Sequence, residues 1–151
     1  MKISGDHSVA FPREQAYAIL QDPVVLARCM PGCESLDRIG DAEYRMKMKM
    51  KLASIAGLFD GKVKIAEPNP PESFRLIVDG SGKIGFMKGD GLLTLTESPQ
   101  GTEVHFEGDV QVGGTLAAVG QRLVDTTARM LIRKFFENIG GLSLSLPGHA
   151  S

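Results

Sequence analysis

The chain has 151 residues, enough for one domain of ordinary size to bury about 68–70% of its unfolded surface without covalent staples. Seventeen Lys and Arg against 18 Asp and Glu leave a formal charge of -1, which argues against a protein built to bind nucleic-acid backbones. With 42% hydrophobic and 23% charged residues, 18 Gly, 8 Pro and no Trp, the composition favours a turn-rich domain over a helical bundle.

Residues 2–11 read as a strand reaching Val9 and Phe11, and Pro12 supplies an N1 position for a helix carrying Ala16, Tyr17, Ile19 and Leu20. Asp22-Pro23 places an N-cap before proline and opens a second short helix through Val24, Val25, Leu26 and Ala27, stopping near Pro31-Gly32. Cys29 and Cys33 have no cluster of histidines beside them and read as buried free thiols. From Glu34 to Val112, turns at Gly40-Asp41, Ala56-Gly57, Pro68–Pro71, the glycine-rich Gly80–Gly91 stretch and Pro99-Gln100-Gly101 divide about six strands. Along 44–52, Tyr44, Met46, Met48, Met50 and Leu52 alternate with Arg45, Lys47, Lys49 and Lys51, giving one apolar and one cationic face. Val104, Phe106, Val110 and Val112 alternate in the same way with Glu103, His105, Glu107, Asp109 and Gln111, so a half-solvated antiparallel sheet follows.

After Gly113-Gly114 the period changes, with Leu116, Val119, Leu123, Thr127, Met130, Leu131 and Phe135 at three- and four-residue steps until Gly140-Gly141. The spacing predicts one amphipathic helix over 115–139 with Thr115 as its N-cap, roughly 36 Å long at ~1.5 Å per residue. The expected fold is α+β: a curved antiparallel sheet of about seven strands gripping a long C-terminal helix, with two short helices after strand one. One domain spans 1–139, and 140–151 forms a flexible tail.

Particular residues resemble the CoxG family, whose members are encoded in carbon monoxide dehydrogenase gene clusters and fall within the START and birch-pollen-allergen-like helix-grip superfamily. They are Asp22-Pro23 with Leu26, Pro31-Gly32-Cys33-Glu34-Ser35-Leu36, Gly61-Lys62-Val63 and Pro70-Pro71-Glu72-Ser73-Phe74. Lys88-Gly89, Gly113-Gly114 with Leu116-Ala117, and Gly120-Gln121-Arg122-Leu123-Val124-Asp125 continue the likeness over roughly residues 1–139. The resemblance implies a hydrophobic cavity and a non-catalytic role beside molybdenum-containing dehydrogenases that pass electrons towards membrane quinones. Many members carry a longer extension ending in a membrane-associating segment; this sequence stops at Ser151 without one, which predicts no stable anchoring of its own.

The methionine ladder suits an adaptable wall for a lipid-like ligand, because thioether side chains are flexible and polarizable. By period, the expected cavity residues are Tyr17, Tyr44, Met46, Met48, Met50, Phe59, Phe74, Phe86, Phe106, Leu116, Leu123 and Met130. Arg45, Lys47, Lys49 and Lys51, joined by Lys62 and Lys64, form a basic outer face. That face, or the helix end bearing Arg129, Arg133, Lys134, Phe135 and Phe136, is the candidate docking surface for a membrane or a partner protein.

His7, His105 and His149 are scattered, and neither metal-ligand spacing nor a nucleophile–base pair appears in the sequence. The leading expectation is a non-enzymatic carrier of a hydrophobic small molecule, an isoprenoid quinone or other lipid, with no covalent cofactor. It would serve the molybdenum-containing dehydrogenase subunits from the cytoplasm, in peripheral contact with the inner face of the cell membrane. A ligand-free docking or maturation module is the alternative. A small hydrolase or cyclase using Tyr17 or Tyr44 is the third reading.

Overall fold

Strand formation is most legible at β3 (Glu43–Leu52), where strict alternation buries Tyr44, Met46 and Met48 and exposes Arg45, Lys47 and Lys49. The computed structural model describes residues 1–52 and 55–142. Besides β3, the described strands are β1 (Lys2–Val9), β2 (Cys33–Gly40), β4 (Ile55–Asn69), β5 (Ser73–Gly82), β6 (Gly85–Ser98) and β7 (Gly101–Gly113). They form one antiparallel sheet in the order β1-β7-β6-β5-β4-β3-β2. The α+β helix-grip architecture expected from the sequence is therefore the observed one.

Helices α1 (Arg13–Ile19) and α2 (Pro23–Cys29) follow β1 as expected. The Val24 N–H donates to Asp22 Oδ1 at 2.9 Å, so Asp22 is the N-cap of α2. Pro12, expected at N1 of α1, instead occupies its N-cap, with an extended backbone. Cys29 is buried and Cys33 half-buried, both free, and burial raises both thiol pKa values.

The C-terminal helix departs from the sequence expectation at both ends. It is divided into α3 (Thr115–Ala118) and α4 (Gln121–Leu142), because Gly120 adopts a φ of 97° that no right-handed helix contains. Gly114, not Thr115, caps α3, at a φ of 71° where a Cβ would approach the Gly85 Cα to 2.9 Å. At the other end α4 continues through Gly140-Gly141 to Leu142, which is buried. Burial of that leucine outweighs the poor helix propensity of two glycines. Of the expected tail, 143–151 lies outside the described residues.

A single core joins the sheet's inner face to the helices, with Phe11, Phe59, Phe74, Leu95, Val104, Leu116 and Ile139 almost wholly enclosed. Thr102, buried at the same depth, donates its hydroxyl to the Phe11 carbonyl at 2.7 Å, so its burial leaves no unmet donor. Asn138 on α4 donates to the Cys29 carbonyl at 2.8 Å and ties the last helix to α2.

Candidate ligand-binding site

Cross-strand register assigns the inner face. One row runs Tyr44, Val63, Val78, Gly89, Val110 and the next runs Met46, Gly61, Gly80, Met87, Val112. A third runs Ile65, Leu76, Gly91, Gly108, Ile3. Glycine therefore replaces side-chain volume at inward positions of β4–β7.

Two kinds of glycine are mixed there. A Cβ at Gly61 would lie 2.0 Å from the Asp79 carbonyl oxygen, so that glycine permits close backbone approach. At Gly89 the nearest atom to a Cβ would be that of Val78, 4.0 Å away. A Cβ would fit at Gly89 in ordinary contact, so close backbone approach does not require this glycine as it does Gly61.

Helix α4 packs chiefly on β1, α2 and β3, near the two sides of the sheet, and so bridges the strands between. Along that bridge the inward Val78, Met87, Leu93, Val110 and Val112 remain half-buried, unlike the enclosed Phe74 and Leu95 beside them. Leu123, Met130 and Leu131 of α4 are half-buried as well. The arrangement is an apolar hollow over β5–β7, able to take apolar ligand surface out of water.

The twelve expected wall residues divide. Tyr17, Tyr44, Met46, Met48, Phe59, Phe74 and Leu116 belong to the closed core. Met50, Phe106, Leu123 and Met130 are half-buried, and the last three adjoin the hollow. Phe86 does not line it: it lies on the outer row with Ser81, 41% exposed, with the Lys88 ammonium 6.0 Å from its ring centroid. The glycines at 85, 89 and 91 interrupt the alternation of β6 and hide its phase. Tyr17 donates its hydroxyl to the Ser73 carbonyl at 3.0 Å and sets its ring edge-on to Phe74 at 5.5 Å, so its polar end is engaged in structure. The half-buried Val78 and Val110, and Gly89 between them, escape a selection of large apolar residues; the gap is legible only once register is known.

Two depressions on the surface of the described residues lie elsewhere. One of about 450 Å³ is lined by α2 and β2 through Val24, Leu36 and Arg38; one of about 590 Å³ lies by Lys2, Arg75, Asp90 and Asp109. None of the twelve expected residues lines either.

The expected docking residues also divide. Phe135 and Phe136 are each 7% exposed and pack in the core, because the last turns of α4 enter between β1 and α2; they present no surface to a membrane. Arg129 bonds to Asp125 and to the Ser4 carbonyl, while Arg133 and Lys134 are exposed, with Arg133 3.8 Å from Glu137. On β3, Arg45 grips Asp60 through two bonds of 3.1 and 2.9 Å, which hold that carboxyl below its ordinary pKa. Lys47, Lys49 and Lys51 stay exposed. Leu58, opposite Lys49 and 58% exposed, adds an apolar element to the same face.

Among the described residues no helix is long and apolar enough to cross a membrane, and no three His, Cys, Asp or Glu side chains gather where they could hold a metal ion. A conserved protein from Geobacillus kaustophilus is similar to this chain, with a TM-score of 0.88 and 30% identity over 93% of both chains. The ZhuI aromatase/cyclase from Streptomyces sp. R1128 matches at 0.71 and 11% identity over 99% of both. A START superfamily protein from Mycobacterium smegmatis matches at 0.67 and 16% identity, over 93% of this chain and 94% of the other; these last two likenesses carry the fold alone. No curated protein matches the chain. The family model for the carbon monoxide dehydrogenase G subunit (CoxG) matches residues 5–141. With nearly the whole described chain inside that match, hollow and gripping helix included, the protein belongs to the CoxG family.

Proposed function

We propose that this protein is a non-enzymatic accessory carrier that holds an isoprenoid quinone in the hollow between β5–β7 and α4. It delivers the quinone between the bilayer and a molybdenum-containing dehydrogenase of the carbon monoxide dehydrogenase type. The observation that supports this reading is the half-buried apolar lining around Gly89, on a concave face whose flanking residues are enclosed in the core. Burying a tail there contributes about 25 cal/mol per Å² of apolar surface, enough over several isoprene units to offset lost ligand freedom. The exposed Lys47, Lys49 and Lys51 with Leu58 suit reversible contact with an anionic bilayer surface.

Native mass spectrometry of protein purified without detergent, followed by solvent extraction, tests the reading. A stoichiometric quinone supports it, and Gly89→Leu is expected to remain folded while losing the bound molecule. An empty protein that takes up no added quinone removes it. A ligand-free docking module is then the better description, with the α2–β2 depression and its exposed Val24 as the contact to test.

A further inference from the structure

The inner register of β1 runs Ile3, Gly5, His7, Val9, opposite Gly108, Phe106, Val104 and Thr102 of β7. A titratable ring thus stands among apolar groups on the concave face. Gly5 allows Phe106 to approach it: a Cβ there would lie 2.9 Å from the phenyl ring, so the ring lies across β1 only because that side chain is missing. The His7 imidazole stacks with Phe106, centroids 5.9 Å apart and planes within 12°. From α4, Phe136 stacks with it more closely, at 4.5 Å and 9°.

Two phenyl rings therefore fix the plane of the imidazole, while neither of its nitrogens has a hydrogen-bond partner among the described residues. His105, on the outer face of β7, contrasts with it: its nitrogens meet Asp6 at 2.9 Å and Glu107 at 3.2 Å. Burial lowers the His7 pKa against the opposing fields of Asp6 and Glu103, so at pH 7 the ring is neutral, with one donor and one acceptor. On the helix side, Arg129 is committed to Asp125 and the Ser4 carbonyl.

We infer that His7 is the polar contact of the hollow, hydrogen-bonding a neutral headgroup that carries a carbonyl or hydroxyl oxygen; the inference rests on the carrier reading. Phe106, half-buried, links the imidazole to the hollow, so a ligand lying along β6 and β7 brings its head to His7. The carboxylates of Asp6 and Glu103, on the outer face but close enough for their fields to reach His7, disfavour an acidic head. The favoured class is a neutral lipid with a polar oxygen, quinone or quinol included, in preference to a fatty acid or a phospholipid.

Calorimetric titration with decylubiquinone, decylbenzene and undecanoic acid, three probes with the same ten-carbon alkyl chain, tests it on wild type, His7→Phe and His7→Gln. His7→Phe keeps an aromatic ring and is expected to bind decylubiquinone about five- to tenfold more weakly, the worth of one net hydrogen bond, with decylbenzene unchanged. His7→Gln is expected to retain most of the affinity. Equal binding of decylubiquinone by His7→Phe and wild type, or an equal loss for both neutral probes, overturns the subsite alone. A wild type that binds no probe overturns the carrier reading and the subsite with it. Should His7→Phe fail to fold, the imidazole nitrogen resonances of wild-type His7 decide: a shift with decylubiquinone but not decylbenzene supports the contact, and none overturns it.

Discussion

Two histidines on one strand pair have opposite electrostatic settings. Burial lowers the His7 pKa, whereas hydrogen bonds to Asp6 and Glu107 raise that of the exposed His105. The folded state thus disfavours a proton on His7: its contribution is full above pH 6.5, the ordinary value, and is lost as pH falls from there towards the lowered one. His105 has the reverse sign, with its contribution full below pH 6.5 and lost as pH rises through the raised value. Urea titrations across pH 4–9 should therefore change slope in opposite directions for His7→Phe and His105→Gln; parallel changes would contradict the assigned environments. Salt should weaken the His105 effect, since its partners face solvent. At the same scale, Phe136→Ala removes a buried ring that stacks on His7 and packs edge-on against Phe135. A loss of about 3–5 kcal/mol is expected, measurable as a lowered denaturant midpoint, so this substitution reports on folding and not on membrane contact.

Elements are legible where alternation is unbroken. The β3 ladder gives its own faces, and Asp22-Pro23 gives the start of α2. The division at Gly120 is hidden because Leu116, Leu123 and Met130 keep helical spacing across it, and periodicity does not register a reversed φ. Period alone misplaces Phe135 and Phe136 because adjacent helical residues point roughly 100° apart, and only a helix end packed on two sides buries both. Gly120→Ala places a side chain at a φ of 97° with nothing nearby to touch, so it should destabilise by about 1–2 kcal/mol through backbone strain. Gly140→Ala lies in open space within α4 and should stabilise by about 0.5–1 kcal/mol. Thermal melts of the two variants should move in opposite directions; a stabilised Gly120→Ala would mean that the helix is continuous in solution.

Across the whole molecule, charge on the outer face is segregated although the total is nearly zero. Lys47, Lys49, Lys51, Lys62 and Lys64 lie on β3 and β4, whereas Glu103, Glu107, Asp109 and Asp6 lie on β7 and β1. Such a dipole orients the molecule towards an anionic surface and favours reversible contact with it. Lys49→Glu with Lys51→Glu should abolish co-sedimentation with phosphatidylserine-containing vesicles while leaving the melting curve in place, and salt should have the same effect on wild type. Vesicle binding unchanged by both would remove β3 as the docking face. The hollow itself is not legible in the sequence, because it is made of glycines and modest apolar residues brought into register from three strands. Composition records those residues as turn formers and core, and only pairing reveals that they share one half-buried inward face.

The helix break has a dynamic consequence. The Leu116 N–H donates to the Ile84 carbonyl at 2.7 Å, the Gly120 N–H to the Ala117 carbonyl, and the Val124 N–H to the Gly120 carbonyl. The ladder of α4 therefore begins where that of α3 ends, and the cooperativity that protects a continuous helix is interrupted at one residue. Amide hydrogens of residues 115–119 should exchange through a local opening of their own, orders of magnitude faster than those of 124–139, which await wider unfolding. The segment beside the β5–β6 hairpin can thus detach and reseat many times within one lifetime of the folded state, while α4 remains seated on β1.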